Sequence, residues 1–437
     1  MAVLSSLNHF LWSFPLLVLL MGTHLFFTLR LHFPQLRILK ALKYSITPEQ
    51  GGQIHDSRNL SGFSTLATTL AATLGTGNII GVSTAVALGG PGAVFWCWLT
   101  GLLGMATAYA ECYLSLIFRE KDTRGEYLGG PMYVIRNGMK MPGLAKAYAL
   151  FTLLAALASG CTTQSNALSQ TVSSAWNLSP HLTGMAAALL TGSVLLGGIK
   201  AIGSICEKIV PVLGLLYIAA CLVLLVIQRS ALPSAIHMIL SHALLPQAAA
   251  GGAVGAAFQH GLRYGIARGL FTNEAGMGTA AITASASSGR SPVRQAYISM
   301  TAVFWDTVVM CLLSGLVIVT NVIQRPESLH LVNEAGWAHA AFTALPAGGS
   351  LFLSLSLTAF ALTTLIGWSY LGEKAFCFLW GKENISVYRL LYIVMIYIGA
   401  VIPLHLVWEC TDLINALMLI PNLLSLFFLC RYIRYEA

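Results

Sequence analysis

The chain has 437 residues, of which 56% are hydrophobic and only 9% are charged, and its formal net charge is +8. Soluble domains carry about a quarter charged residues, so this composition excludes an ordinary soluble protein and predicts a membrane protein. A basic balance suggests nucleic-acid binding only in a soluble chain, and we expect no nucleic-acid partner here.

Apolar stretches of membrane length predict the helices. A span of about 20 residues crosses the hydrocarbon core. Residues 10–30 have no Lys or Arg before them and no small-residue cleavage site after their apolar part, so we interpret them as a membrane helix and not a signal peptide. About eleven spans are predicted, at 10–30, 63–88, 93–118, 144–172, 182–199, 207–228, 248–285 (interrupted), 295–320, 349–380, 386–403 and 408–430.

Basic residues set the predicted orientation. If the N-terminus lies outside, all but Arg229 and Arg325 of the 24 Lys and Arg residues fall in inner connections or at inner helix ends. The positive-inside rule therefore predicts an external N-terminus and a cytoplasmic C-terminus in a bacterial-type inner membrane.

Two interrupted spans predict the internal organisation. The ten spans after the first divide into two sets of five, 63–228 and 249–430, and an odd number per set inverts the second set. The leading span of the first set is interrupted at Gly75–Asn78, and that of the second carries six glycines between Gly251 and Gly269. We expect a single transmembrane domain, 1–437, with one extra helix and an inverted repeat.

Interrupted helices at matching positions of two halves are typical of a transporter's binding site. Free backbone groups survive at membrane depth only where protein or a water-filled cavity meets them. Thr76 and Gly77 are expected to offer backbone N–H groups at a half-helix N-terminus, where a carboxylate is favoured, with the Asn78 amide beside them. The alternative is a glycine packing contact between helices.

Several sequence blocks resemble the alanine or glycine:cation symporter family. The resemblance covers nearly the whole chain and implies the leucine-transporter-type fold, an all-α five-plus-five inverted repeat, with sodium-driven uptake of small neutral amino acids. The matching blocks are Ala71–Ile79, Ala87–Trp96, Ala267–Gly278 and Gly367–Ala375, with shorter matches at Gly129–Tyr133 and Gln164–Asn166.

Oxygen-bearing residues near the first interruption are the candidate cation ligands, because hard cations prefer oxygen. Carbonyls near Thr73 and Gly75 could join the hydroxyls of Thr363 and Thr364, and the resemblance favours such a sodium site. Either threonine could instead bond its own helix backbone. Asp306, an acid in mid-span, could balance the cation or the substrate ammonium, or pair with a basic group such as Arg263.

The remaining candidates concern the substrate and the gates. Gln164 either contacts substrate or bridges helices, and Trp368 either walls a small pocket or lies in the core or against lipid. Gly265 falls near the estimated midplane of the second interrupted span, with Gln259, His260 and Arg263. Glu111 lies nearer the inner end of its span and could reach interface water, and Asn273 and Glu274 are expected to belong either to the inner gate or to its packing.

Motifs for other functions do not occur in the sequence. GxxxxGK[ST], HExxH and GxSxG are not found, so we expect no ATP-driven pump and no enzyme. The nine cysteines form no CxxC pair and predict neither zinc nor disulfides. We expect no cofactor besides sodium as coupling ion, and no obligate protein partner. Proton coupling, a channel and a transporter-like nutrient sensor are the alternatives.

Overall fold

The computed structural model describes residues 8, 11–12, 14–47, 49, 59–244, 253–289, 291–329, 336–346, 348–402 and 404–435. In chain order the helices are α1 Phe14–Arg30, α2 Ile38–Ile46, α3 Gly62–Thr73, α4 Ile80–Gly89, α5 Gly92–Ile117, α6 Pro142–Trp176, α7 Pro180–Leu196, α8 Gly198–Ile227, α9 Leu232–Leu244, α10 Ala253–Asn273, α11 Thr279–Ser285, α12 Pro292–Gln324, α13 Trp337–Phe342, α14 Gly349–Trp380, α15 Ile385–Val401 and α16 Leu404–Phe428.

Membrane spans are the dominant element. Six described helices are long and apolar enough to cross a bilayer, and eight if each of two bent pairs counts as one span. The bent pairs are α1 with Pro34–Ile46, at 62°, and α3 with Thr76–Gly89, at 60°. The all-α membrane class is confirmed. The count of eleven spans stays a prediction, because α7 and α15 have only 17 residues each.

Local sequence explains where several helices begin. Ser61, Ser179 and Ser291 each cap a helix by accepting a hydrogen bond from the backbone N–H three residues later. Pro180 and Pro292 follow two of these caps in the first turn, where a missing N–H costs nothing. The boundaries of α3, α7 and α12 therefore follow from residues at their own ends.

Several short elements were not predicted, α13 and the short helix Pro131–Tyr133 among them. The basic stretch after α1, expected to be a plain connection, contains the 3-10 turn Pro34–Arg37 and helix α2. A second short helix is α9, and the loop after α5 forms a two-stranded antiparallel ribbon, β1 Glu120–Lys121 with β2 Tyr127–Leu128.

Two helices contain π-helical turns that shift their side-chain register. One is Ala158–Thr162 in α6, and the other is Phe304–Cys311 in α12. Such turns occur often at functional sites. They lie just before Gln164 and around Asp306, so both candidate residues project from irregular backbone.

One end of the helix bundle is closed by backbone bonding. Leu60 N–H donates to the Ala286 carbonyl at 3.0 Å, and Ser288 N–H donates to the Leu60 carbonyl at 2.8 Å. The Arg119 guanidinium donates to the carbonyls of Ser285 and Ser287. The start of α3 is thereby held against the chain that follows α11.

Candidate functional site

The first interruption is a buried break in a bent helix, as the sequence predicts. Helix α3 ends at Thr73, Gly75 is extended with φ −114° and ψ −157°, and a 3-10 turn at Thr76–Asn78 precedes α4. The side chains of Thr73, Thr76 and Asn78 are buried. Backbone groups freed by this break therefore face protein and not lipid.

Gln164 of α6 reaches the break directly. Its Oε1 accepts hydrogen bonds from Thr76 N–H at 3.3 Å and from Thr76 Oγ1 at 3.0 Å. A neutral amide thus occupies the acceptor position at the start of the second half-helix. The structure shows the bridging role of Gln164, and its contact with substrate stays a prediction.

Hydroxyls of α14 face the same break from another side. Thr364 Oγ1 lies 2.9 Å from the Phe360 carbonyl of its own helix and 3.4 Å from the Leu74 carbonyl at the break. Thr363 Oγ1 donates to the Phe360 carbonyl at 2.9 Å. A threonine hydroxyl that donates to a carbonyl of the preceding helical turn keeps its oxygen lone pairs available. Bonding to its own helix and ligation of a cation are therefore compatible.

We call the predicted cation ligands the threonine cluster: Thr73, Thr363, Thr364 and the backbone at Leu74–Gly75. Of its side chains, Thr364 is the one whose contact with the break is seen. Thr73 Oγ1 is buried and has no hydrogen-bond partner among the described residues. A Cβ added at Gly75 would lie 2.9 Å from Thr364 Oγ1 and 3.1 Å from Gln164 Oε1. Glycine therefore allows the close approach of the break to both α14 and α6.

Asp306 contacts the break through Asn78. Its Oδ1 accepts from Asn78 Nδ2 at 2.6 Å, and its Oδ2 accepts from Thr307 Oγ1 at 2.6 Å. Both carboxylate oxygens thus bond neutral donors, and no ion pair with Arg263, one of the alternatives, is seen among the described residues. Asn78 Oδ1 is buried with no partner in the described part of the chain, so an acceptor oxygen remains open beside the carboxylate.

The second interruption lies further along the chain than predicted. Helix α10 is continuous from Ala253 to Asn273, and the break occupies residues 274–278. Glu274, Gly276 and Gly278 have φ values of 55°, 92° and 86°. Left-handed backbone at three of five residues ends the helix. Gly251 and Gly252 lie outside the described residues.

The residues predicted near the midplane of this span lie within the unbroken helix α10. Gln259 and His260 are exposed, and the His260 ring stacks on Tyr264 with centroids 6.0 Å apart. A Cβ added at Gly265 would lie 2.6 Å from the Ala93 carbonyl of α5, so Gly265 serves a close helix contact. The structure does not bring Gly265 together with the first break.

The second break is held by side chains from several helices. Glu111 Oε2 of α5 accepts from Gly276 N–H at 3.2 Å and from Asn422 Nδ2 of α16 at 3.0 Å. Asn422 Nδ2 also donates to the Gly276 carbonyl, and Tyr148 Oη of α6 donates to the Met277 carbonyl, both at 2.7 Å. Glu111 is therefore buried at the break, and the expectation that it meets interface water is wrong.

Two residues of this group were missed by the sequence reasoning. Tyr148 and Asn422 carry hydrogen-bonding groups inside predicted apolar spans, which was the available signal. Asn273 is the last residue of α10 and Glu274 the first of the break, and their role in the inner gate or in its packing stays a prediction. Asn273 Oδ1 accepts from Ala275 N–H at 2.9 Å, which is a local turn typical of asparagine.

Trp368 links the two breaks through α14. Its Nε1 donates to Glu274 Oε1 at 3.1 Å, and its side chain is fully buried, so a lipid-facing position is excluded. A Cβ added at Gly160, in the π-helical turn of α6, would lie 2.2 Å from Trp368 Cγ. The indole therefore fills the space between α6 and α14 one turn beyond Thr364.

The two interrupted helices also touch each other. This contact is between the first break and the last turn of α10, since a Cβ added at Gly77 would lie 2.9 Å from Thr272 Cγ2 and 3.0 Å from Phe271 Cδ1. Gly77 thus sets the spacing of the two interrupted helices. A hydroxyl group from a neighbouring helix also lies at each break. Thr364 Oγ1 of α14 approaches the first break, and Tyr148 Oη of α6 donates a hydrogen bond to the second.

Comparison with known proteins agrees with this geometry. The family model described as the sodium:alanine symporter family matches residues 1–436. The chain is 41% identical to the sodium/alanine symporter AgcS of Methanococcus maripaludis, over 98% of this chain and 94% of the relative. It is 42% identical to an uncharacterized transporter of Haemophilus influenzae, over 100% of this chain and 95% of the relative.

A solved structure shares the fold. The structure of a Na⁺-coupled sialic acid symporter matches with a TM-score of 0.56 and 12% identity, over 94% of this chain and 85% of that one. The helical spans, the buried breaks and the match along the whole chain describe a membrane transporter and not an enzyme. The chain belongs to the sodium:alanine symporter family.

Proposed function

We propose that the protein is a secondary active symporter that takes up small neutral amino acids, such as alanine and glycine, with sodium by alternating access. The observation that carries the proposal is the chemistry of the first break. There, a half-helix N-terminus capped only by a neutral amide lies beside the oxygen-rich threonine cluster. An amino acid carboxylate and a hard cation are the ligands that these two groups suit.

The substrate carboxylate would bind at the N–H groups of Thr76 and Gly77. Because Gln164 already accepts from Thr76 through a neutral oxygen, a carboxylate that shares or replaces this contact gains the charge interaction that the amide lacks. The two interrupted helices pack closely at Gly77, against Phe271 and Thr272, which favours a short substrate side chain.

Sodium would bind at the threonine cluster. Thr73, Thr363 and Thr364 supply hydroxyl oxygens, and Leu74 and Gly75 supply backbone carbonyls. Asp306, through Asn78, places a carboxylate on the other side of the same break. It would offset the positive charge of the cation or of the substrate ammonium.

The orientation follows from charge. The end closed by Leu60, Arg119 and Ser288 carries most of the basic residues, and we place it in the cytoplasm. In this arrangement the cytoplasmic path is shut, as alternating access requires when the opposite side receives substrate. Opening that path would need the contacts between the start of α3 and the chain after α11 to separate.

Uptake of labelled alanine into proteoliposomes tests the proposal, with sodium and proton gradients imposed separately. We expect Thr364→Val to raise the sodium concentration for half-maximal uptake several-fold, because it removes one oxygen ligand and keeps the side-chain shape. Thr358→Val is the matched control. Thr358 donates to Ser354 one helical turn back in the same way, at 2.8 Å, yet lies more than a turn from the break.

Four results would contradict parts of the proposal. Equal sodium dependence of uptake in the Thr364 and Thr358 variants would contradict the threonine cluster as the sodium site. Uptake driven by a proton gradient without sodium would show that the coupling ion is a proton. Asp306 or Glu111 would then be the better candidate for the coupling group. Unitary currents without saturable uptake would indicate a channel, and binding of alanine without uptake a sensor.

A further inference from the structure

Helix α2 is an amphipathic element that the transport proposal does not use. It follows α1 after the 3-10 turn Pro34–Arg37, and the segment Pro34–Ile46 bends 62° away from α1. Only three residues separate Arg30, the end of α1, from Pro34. A helix tied this closely to the end of a spanning helix, and bent away from its direction, lies at the membrane interface.

The outward side of this segment is both apolar and basic. Leu36, Leu39 and Ile46 are 82%, 80% and 77% exposed, which is unusual for large aliphatic side chains. Lys40 and Lys43 are exposed beside them. At 100° per residue, Leu39 and Ile46 lie about 20° apart, and the two lysines occupy the adjoining sector about 60° apart.

The opposite side of α2 is anchored to the transporter. Ala41 and Ser45 are buried, and Ser45 Oγ lies 3.4 Å from Thr301 Oγ1 of α12. Arg294, near the start of α12, donates to the carbonyls of Tyr44 and Thr47. The helix therefore presents its exposed side from a fixed position.

We propose that the exposed side of α2 binds the headgroup of an anionic phospholipid, with Lys40 and Lys43 on the phosphate and Leu36, Leu39 and Ile46 against the acyl chains. An aliphatic strip next to a lysine pair matches the boundary between acyl chains and negatively charged headgroups. A second copy of the chain fits less well. A two-fold contact through this small face would bring the same lysine pairs close together.

The site has a structural consequence for the gate. Helix α12 begins at the Ser291 cap, and α2 packs on its first turns through Arg294 and Thr301. A lipid held by α2 would therefore restrain the end of the bundle that Leu60 and Ala286 close. The inference concerns lipid and does not depend on which substrate or ion is transported.

Native mass spectrometry of the purified, delipidated full chain tests this site. Phosphatidylglycerol and phosphatidylcholine with identical acyl chains are titrated in parallel. We expect the parent to retain phosphatidylglycerol preferentially. The double variant Lys40→Gln, Lys43→Gln should bind phosphatidylglycerol roughly tenfold more weakly with unchanged phosphatidylcholine binding. The variant Lys40→Arg, Lys43→Arg should bind like the parent.

The matched control is Lys140→Gln, Lys146→Gln, which removes the same charge from two exposed lysines outside α2. We expect it to leave phosphatidylglycerol binding within about twofold of the parent. Equal weakening by both pairs would show an unspecific charge effect and overturn the site. A parent without preference between the two lipids would also overturn it, as would a dimer that dissociates in the Lys40, Lys43 variant.

Discussion

The two helix breaks use the same construction with different electrostatics. At each break, a side chain from a neighbouring helix accepts a hydrogen bond from a backbone N–H. At the first, the acceptor is the neutral amide of Gln164 on Thr76 N–H. At the second, it is the carboxylate of Glu111 on Gly276 N–H, and Asn422 bonds both partners.

Under the proposed function, this difference would separate a break that binds substrate from one that only holds the structure. A half-helix N-terminus favours negative charge. The second break already has a carboxyl group of the chain bonded to it, whereas the first has only an amide and would gain more from an external carboxylate. The hydroxyl contacts at the two breaks are otherwise similar, with Thr364 Oγ1 at the first and Tyr148 Oη at the second.

Making the first break resemble the second gives the largest expected effect. Gln164→Glu would place an ionised carboxylate at Thr76 N–H and repel the substrate carboxylate. We expect alanine binding, measured by calorimetry or scintillation proximity, to weaken by about 100-fold or more, since close like charges cost several kcal/mol. Gln170→Glu, exposed on the same helix, is the control and should bind normally. An unchanged alanine affinity in Gln164→Glu would show that Gln164 does not lie at the site of the substrate carboxylate.

A smaller effect is expected from altering the spacing of the breaks. Gly77→Ala adds a Cβ about 3 Å from Thr272 and Phe271, so the interrupted helices must move apart and the N–H groups at the first break lose their alignment. We expect alanine affinity to fall roughly tenfold. Gly81→Ala, one turn further on, meets only Arg268 Cδ at 3.9 Å and should have no effect. Similar alanine affinities in the Gly77 and Gly81 variants would show that Gly77 is only a packing contact between helices.

The smallest effect on binding, together with a clear effect on stability, is expected at the second break. In Glu111→Gln the amide oxygen can keep both hydrogen bonds that Oε2 accepts, but the N–H₂ group then replaces Oε1, which is buried and has no hydrogen-bond partner among the described residues. One buried donor is then unpaired, at a cost of about 1 to 3 kcal/mol. We expect the apparent melting temperature to fall by a few degrees, with alanine affinity within about threefold of the parent. Glu383→Gln, at an exposed position, is the comparison. Loss of binding without loss of stability would make Glu111 part of the substrate site.

Sequence alone located the first break and most spans, and it failed at the second break. Gly75 and Gly77 interrupt a short apolar run, so helix propensity identified them. In the second span, six glycines drew the prediction towards Gly265, yet Gly265 and Gly269 allow close packing on α5 and leave the helix intact. Glycine marks close approach and helix ends alike, and a single sequence does not separate the two.

What the sequence determined by itself was the class of protein, its spans, the first break and the family, because apolar run lengths, charge placement and contiguous motifs are local properties. The tertiary structure decided which polar side chains meet. Glu111 and Asn422 lie 311 positions apart, and Asn78 and Asp306 lie 228 apart. Such pairs form because a buried polar group must find a partner wherever the packed helices place one, and no local pattern states which partner that is.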